Sequence, residues 1–179
     1  MSALSVLVID DEISVQELLA EYLRGRGHAV AVAPTVMAAT SALAEQAFDA
    51  VLTEMELPDG HGVEVLRLAR PRGIPCLVVA APVAAEDIVL AYREGASDVT
   101  IKPLRLRSLH DSLVRTVEGV RAARSAAARL TLLDACARAR SPDDLAHLEA
   151  SLGALPATVR EDDRAACARA VAQTRARLA

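Results

Sequence analysis

The chain has 179 residues, a formal charge of −4 at neutral pH, 53% apolar residues, 25% charged residues and three cysteines. This composition suffices for a hydrophobic core, and it excludes a wholly disordered chain and a small disulfide scaffold. No apolar stretch approaches the roughly 18 residues of a membrane helix, and acids follow the first residues too closely for a signal peptide. We therefore expect a cytoplasmic protein.

The first 104 residues alternate two periodicities. Short apolar runs of strand length lie at 4–9, 29–33, 50–53, 76–80 and 98–101. Between them lie segments in which apolar residues recur at helical spacing, and glycine and proline residues mark the transitions. Five strands alternating with helices predict an α/β fold with a doubly wound, five-stranded parallel sheet.

From Leu104 onward the strand signal stops, and an all-α extension is expected. A helix is predicted over 105–140, a second begins at Ser141-Pro142 and ends near Gly153, and a third begins near Glu161. We predict a first domain over 1–120 and a helical extension over 121–179, built from a coiled coil and a helical hairpin. A long helix packed on its own domain is the alternative. The coiled-coil seam would contain Leu106, Leu109, Leu113, Thr116, Val120, Ala123, Ala127 and Leu130.

Charge divides unevenly between the two parts. Residues 1–104 carry seven basic and fifteen acidic residues (net −8), whereas 105–179 carry thirteen and nine (net +4). Neither part is basic enough to indicate a nucleic-acid partner. The last helix also opens with the acids of 161–163, which would repel phosphates. We therefore expect a protein partner, with DNA binding through the C-terminal helices kept as an alternative.

Candidate functional residues lie where the predicted strands end. In an open parallel sheet the ligand site lies beyond the carboxyl ends of the strands. The adjacent carboxylates of Asp10 and Asp11 follow the first strand, Glu54 follows the third, and Lys102, the single lysine of the chain, follows the fifth. Carboxylates grouped in this way favour Mg²⁺, and a nearby cation would offset their repulsion.

Three segments together resemble the receiver domain of two-component response regulators: VLVIDDE, FDAVLTEMELPDGHG and GASDVTIKP. The resemblance covers roughly residues 4–120, and it implies the same five-stranded fold. It places Glu54 where the family has the aspartate that accepts a phosphoryl group, with Asp10 and Asp11 as the Mg²⁺ ligands. Lys102 matches the family lysine, and Pro103 after it is the candidate for a cis peptide.

The sequence departs from the family at three positions that matter for phosphorylation. Glu54 is longer than aspartate by one methylene, about 1.5 Å, which extends into the space of the phosphate and metal. Ala80 stands where the family has a hydroxyl residue, and Val99 where it has the aromatic switch residue. We therefore expect efficient phosphorylation to be lost, and weak Mg²⁺ binding or none is expected.

The departures indicate an atypical receiver, or pseudo-receiver, that is not an enzyme and signals by binding. Glu54 either mimics the phosphorylated state by pairing with Lys102 or is a relic of the lost acceptor. A conventional response regulator with weak phosphotransfer is a third hypothesis. The expected partners are a second copy of the chain and a signalling protein such as a histidine kinase. The resemblance points to one face for these contacts, for which the candidates are Ala84, Ala85, Ile88, Tyr92, Arg105, Leu106 and Leu109. Packing in the core against the sheet is the alternative for its apolar members, in particular Ile88 and Leu109.

Overall fold

Five parallel strands form the main sheet of the protein, for which we use a computed structural model that describes residues 3–82 and 85–179. Their order across the sheet is β2-β1-β3-β6-β7, as in a doubly wound sheet. The strands are β1 (Ser5–Ile9), β2 (Ala29–Ala33), β3 (Ala50–Thr53), β6 (Cys76–Ala80) and β7 (Ala96–Ile101), with an antiparallel hairpin of β4 (Glu56–Leu57) and β5 (Gly60–His61) after β3. The predicted five-stranded α/β fold is confirmed.

Helices connect the strands and follow the last one. They are α1 (Ile13–Arg24), α2 (Val36–Glu45), α3 (Gly62–Ala69), α4 (Ala85–Glu94), α5 (Leu106–Arg138), α6 (Pro142–Gly153) and α7 (Glu161–Leu178), with a short 3₁₀ turn at Arg70–Arg72. Local sequence sets several ends: Thr35 caps α2 by accepting a hydrogen bond from the Ala38 amide, and Ser141 caps α6 in the same way from Asp144. None of the helices in the described residues is long and apolar enough to cross a membrane.

Each face of the main sheet is covered by its own apolar layer. One layer joins the sheet to α2, α3 and α4 through residues such as Leu43, Leu66 and Ala91. The other joins it to α1 and α5 through residues such as Leu19 and Leu113. Because both faces are covered, β1, β3 and β6 are almost continuously apolar and buried.

The chain forms two compact units, the first ending at Val117 and the second formed by Glu118–Ala179. The second unit has a separate small core, whose buried members are Leu132, Cys136, Ala139, Leu148, Cys167 and Val171. A buried polar group also fastens α7 to α5 in this unit: the Ser125 hydroxyl donates to Asp163 at 2.8 Å and accepts from the Arg160 amide at 2.8 Å.

The predicted coiled-coil seam does not lie in a single environment. Leu109 and Leu113 are buried in the core of the first unit, whereas Ala123, Ala127 and Leu130 are exposed in the second. The first heptads of the seam are therefore core positions, because the same helical spacing that builds a coiled coil also packs α5 against a sheet. Only the later positions remain open to a partner.

Candidate functional site

The carboxyl ends of β1, β3 and β7 bring three charged side chains together. Asp10 directly follows β1, Glu54 directly follows β3 and Lys102 directly follows β7. Backbone hydrogen bonds hold these positions: the Glu54 amide donates to Ile9 at 2.8 Å, and the Lys102 amide donates to Ala80 at 2.8 Å. The sheet register thus places residues that are distant in sequence at one edge.

Asp10 is an almost fully buried carboxylate, with 1% of its surface exposed. Its Oδ1 accepts a hydrogen bond from the Glu12 amide at 2.9 Å, and its Oδ2 lies 3.1 Å from Lys102 Nζ. The neighbouring Asp11 is exposed. The structure therefore separates the two acids, and only Asp10 joins the buried cluster.

Glu54 is also buried, with 6% of its surface exposed. Its Oε1 accepts a hydrogen bond from the Met55 amide at 2.8 Å, and its Oε2 lies 2.7 Å from Lys102 Nζ. Gly62 packs closely against the backbone of Glu54, since a Cβ atom at residue 62 would lie 2.2 Å from the Glu54 carbonyl oxygen. Both the side chain and the main chain of Glu54 are therefore fixed.

Lys102 is the cation shared by this acidic cluster. Besides Asp10 and Glu54, its Nζ lies 3.5 Å from Glu12 Oε1. Burial alone would lower the pKa of Lys102, but the hydrogen bonds with Glu54 and Asp10 outweigh burial and raise its pKa above the ordinary value. The ammonium is therefore charged, and one positive charge faces three carboxylates. The peptide bond between Lys102 and Pro103 is cis.

The carboxylate oxygens of Asp10 and Glu54 are paired with donors of the chain itself. All four carboxylate oxygens of Asp10 and Glu54 already accept a hydrogen bond from an amide or from Lys102. Asp11, the other expected ligand, is exposed. Within residues 3–82 and 85–179, no three His, Cys, Asp or Glu side chains are placed to hold a metal ion. Lys102 supplies positive charge to both buried carboxylates.

A family model described as the response regulator receiver domain matches residues 6–114, which is more than half of the chain. The chain belongs to the response regulator receiver domain family. The acids after β1, the carboxylate after β3 and the lysine after β7 all lie within the matched receiver segment.

Two curated relatives support this assignment. The DNA-binding response regulator MtrA of Mycolicibacterium paratuberculosis is 35% identical over 105 residues, which cover 58% of this chain and 47% of MtrA. The transcriptional regulatory protein ZraR of Escherichia coli is 34% identical over 116 residues, covering 64% of this chain and 26% of ZraR. The chain therefore spans about half the length of MtrA and about a quarter of ZraR.

A solved structure supports the fold of the receiver. The CheY-like receiver domain protein of Methanospirillum hungatei superposes with a TM-score of 0.64 at 23% identity. The superposition covers 66% of this chain and 97% of that protein.

The two other departures from the receiver pattern lie on neighbouring strands. Ala80 ends β6, is fully buried and offers a methyl group where the family has a hydroxyl. Val99 lies in β7, is half-buried and packs against the apolar layer of α2, α3 and α4. Neither side chain can donate a hydrogen bond to a ligand at the strand ends.

The expected interaction face is only partly open. Tyr92 on α4 is 49% exposed, and Arg105 is exposed as well. Ile88 and Leu106 are half-buried, and Leu109 belongs to the core between the sheet and α5, so it does not contribute to a surface. Ala84 and the side chain of Ala85 lie outside the described residues.

The sequence interpretation missed two residues of the site. Glu12 provides the third carboxylate near Lys102, and it could have been found because it directly continues the acidic pair at 10–11. Gly62 gives the close approach to Glu54. The sequence offered only a weak signal for this glycine, since Gly60 and Pro58 lie just before it and also indicate a turn.

Proposed function

We propose that this receiver is a pseudo-receiver, a non-catalytic signalling adaptor that acts through protein binding and not through regulated phosphorylation. The observation that carries the proposal is the 2.7 Å contact between Lys102 Nζ and Glu54 Oε2. In this arrangement the carboxylate at the acceptor position is already paired. An attack by Glu54 on a phosphoryl donor would require this buried ion pair to open.

The loss of phosphoryl chemistry is supported at three positions. The extra methylene of Glu54 displaces its oxygens by about 1.5 Å from those of an aspartate, and in-line transfer depends on the position of the attacking atom. Ala80 provides no hydroxyl for a phosphoryl group. Val99 provides no ring whose movement could report one.

A constitutive charge mimic is the form of the proposal that the contacts favour. A phosphorylated aspartate would present negative charge to the family lysine, and Glu54 presents its own charge to Lys102 permanently. Because Lys102 neutralises part of the acidic cluster, we propose that signalling does not require Mg²⁺. The relic hypothesis predicts instead that the charge of Glu54 has no effect on partners.

We propose two separate binding surfaces: the α4 and β7 side of the receiver, and the exposed part of α5 in the second unit. The receiver side presents the apolar side chains of Val89, Tyr92 and Ile101, exposed by 49%, 49% and 43%. On α5, Leu130 is 63% exposed and follows the exposed Ala123 and Ala127 at coiled-coil spacing. A homodimer is the simplest assembly that would cover this part of α5.

Quantitative affinity purification from the source organism tests the mimic. The full-length wild type, Glu54→Gln and Glu17→Gln should be compared, since Glu17 is exposed on α1 and its change removes the same charge. We expect partners enriched by the wild type to be lost with Glu54→Gln and retained with Glu17→Gln. Equal enrichment by all three proteins would favour the relic hypothesis.

DNA binding through the C-terminal helices is the second candidate, favoured by the names of the relatives MtrA and ZraR. Against it, Glu161 and Asp162 are exposed in the first turn of α7, where they would repel phosphates. Fluorescence anisotropy with a labelled random duplex at low salt tests it. We expect no binding, and saturable binding that weakens as salt is added would favour the DNA-binding candidate.

A further inference from the structure

Two buried histidines form a pair that the proposed signalling function does not use. His28 lies just before β2 and His110 lies on α5, and they are 6% and 7% exposed. Their Nε2 atoms are 3.0 Å apart, and their ring centroids are 5.2 Å apart. The pair belongs to the opposite edge of the sheet from Glu54, because His28 precedes its strand and Glu54 follows one.

A backbone amide fixes the protonation of both rings. The Leu4 amide donates to His28 Nδ1 at 3.1 Å, so this nitrogen carries no proton. A neutral His28 must then carry its proton on Nε2 and donate it to His110 Nε2. His110 in turn must carry its own proton on Nδ1, which lies 3.8 Å from Asp111 Oδ1. The two rings are therefore neutral and of opposite tautomers.

The surroundings oppose an additional proton on His28. Burial lowers the pKa of His28 below 6.5, and the positive charges of His110, when that ring is protonated, and of Arg26 lower it further. The Arg26 guanidinium lies 3.7 Å above the ring of Tyr22, which meets His110 edge-on from α1. The Tyr22 hydroxyl is buried and has no hydrogen-bond partner among the described residues. On α5, the Asp111 carboxylate is the charged group beside His110, with its Oδ1 3.8 Å from His110 Nδ1.

We propose that His28 and His110 form a proton-sensitive latch between the amino-terminal edge of the sheet and α5. A proton added to His28 abolishes the bond from Leu4, and a proton added to His110 Nε2 abolishes the bond from His28. Either event breaks the series of hydrogen bonds that runs from the Leu4 amide through His28 to His110 on α5. Because Leu109 and Leu113 keep α5 in the core, the opening is local. This proposal depends only on the histidine geometry and is independent of the fate of Glu54.

The direction of the pH effect follows from the lowered pKa of His28. Around and below pH 6.5, the ordinary histidine value, the unfolded chain binds more protons than the folded chain. The free energy of unfolding therefore rises with pH through this range, and the latch is closed above it. Acidification weakens the latch before it unfolds the protein.

Nitrogen-15 NMR of the four imidazoles in the full-length wild type tests the latch without any variant. We expect His28 to carry its proton on Nε2 and His110 on Nδ1, and His28 to titrate below 6.5. The variant His147→Gln assigns the signal of His147, an exposed histidine outside the pair. The same tautomer on both buried rings, or titration of His28 at or above 6.5, would overturn the proposal.

Hydrogen exchange of the Leu4 amide tests whether a proton on His28 breaks the hydrogen bond from Leu4. After correction for the intrinsic exchange rate, we expect this amide to be protected at about pH 8 and to lose protection at about pH 5. Wild type and His147→Gln should behave alike. Protection that stays unchanged once His28 has titrated would refute the latch, because the Leu4 bond would then not depend on the proton.

Discussion

Lys102 Nζ lies 2.7 Å from Glu54 Oε2, which joins the ends of two strands, β7 and β3, that are not neighbours in the sheet. The resemblance to receivers places Glu54, and with it this contact, at the position of the phosphoryl acceptor. In the proposed function, a lysine paired with the residue at the acceptor position has a structural and electrostatic role.

Replacing Lys102 should destabilise the first unit. Lys102→Met leaves the buried carboxylates of Asp10 and Glu54 without their shared cation, and removal of one partner from a buried ion pair costs about 3–5 kcal/mol. We expect a loss near the lower end, about 3 kcal/mol, because 20% of the lysine side chain is exposed. Urea denaturation measures it. Arg93→Met, which removes an exposed cation from α4, should change the free energy of unfolding by less than about 0.5 kcal/mol.

The same lysine should make the protein sensitive to alkaline pH. The pKa of Lys102 is raised in the folded state above 10.5, so the unfolded chain releases this proton first as pH rises. Above that value the folded state binds more protons than the unfolded state, and the free energy of unfolding must fall with pH. The slope above pH 10.5 should be steeper in wild type than in Lys102→Met, measured by denaturation at several pH values. Identical slopes would show that the lysine is not coupled to the acids.

Two glycine substitutions should have opposite effects. In Gly62→Ala the new Cβ would lie 2.2 Å from the Glu54 carbonyl oxygen, so the main chain at the site must move and stability must fall. In Gly119→Ala the new Cβ meets no atom within 4 Å inside helix α5. That change should stabilise the helix by about 0.5–1 kcal/mol. Thermal unfolding of both variants checks this pair, and a harmless Gly62→Ala would contradict the close packing around Glu54.

The second unit should depend on the buried hydroxyl of Ser125. Ser125→Ala removes the hydroxyl that bonds Asp163 Oδ2 and the Arg160 amide, while Asp163 Oδ1 keeps Arg129 Nε at 3.3 Å; we expect a cost of about 1–3 kcal/mol. Ser151→Ala, at an exposed position of α6, is the matched control. Limited proteolysis of the full chain should cut Ser125→Ala within α6 or α7 sooner than the control. Equal rates would mean that the apolar core of this unit suffices without the polar group.

The fold could be predicted from the sequence because turn and helix-start residues bound each apolar run of strand length. The runs at 29–33, 50–53 and 76–80 have the observed limits of β2, β3 and β6, and Thr35 and Ser141 begin the helices that their side chains favour. The placement of Glu54 beside Lys102 could be predicted only from the parallel sheet, because both residues directly follow strands whose carboxyl ends meet.

Other features depend on packing and not on local pattern. The 3-4 spacing of α5 does not distinguish a coiled-coil seam from a core stripe, so Leu109 was a candidate for both the surface and the core, and the structure places it in the core. His28 and His110 meet across 82 positions of sequence, and nothing near either residue indicates the other. The role of Gly62 likewise becomes visible only when the Glu54 carbonyl is in place.

The most direct test of phosphorylation independence is intact-mass spectrometry after incubation with Mg²⁺ and a small phosphodonor such as phosphoramidate. Wild type should be compared with Glu54→Asp and with Glu54→Asp combined with Ala80→Thr, which restores the carboxylate length and the hydroxyl. We predict that wild type gains no phosphoryl group, and that any gain in the variants requires the aspartate. A phosphoryl group on wild type that Glu54→Gln abolishes would contradict the account, since Glu54 would then be a working acceptor.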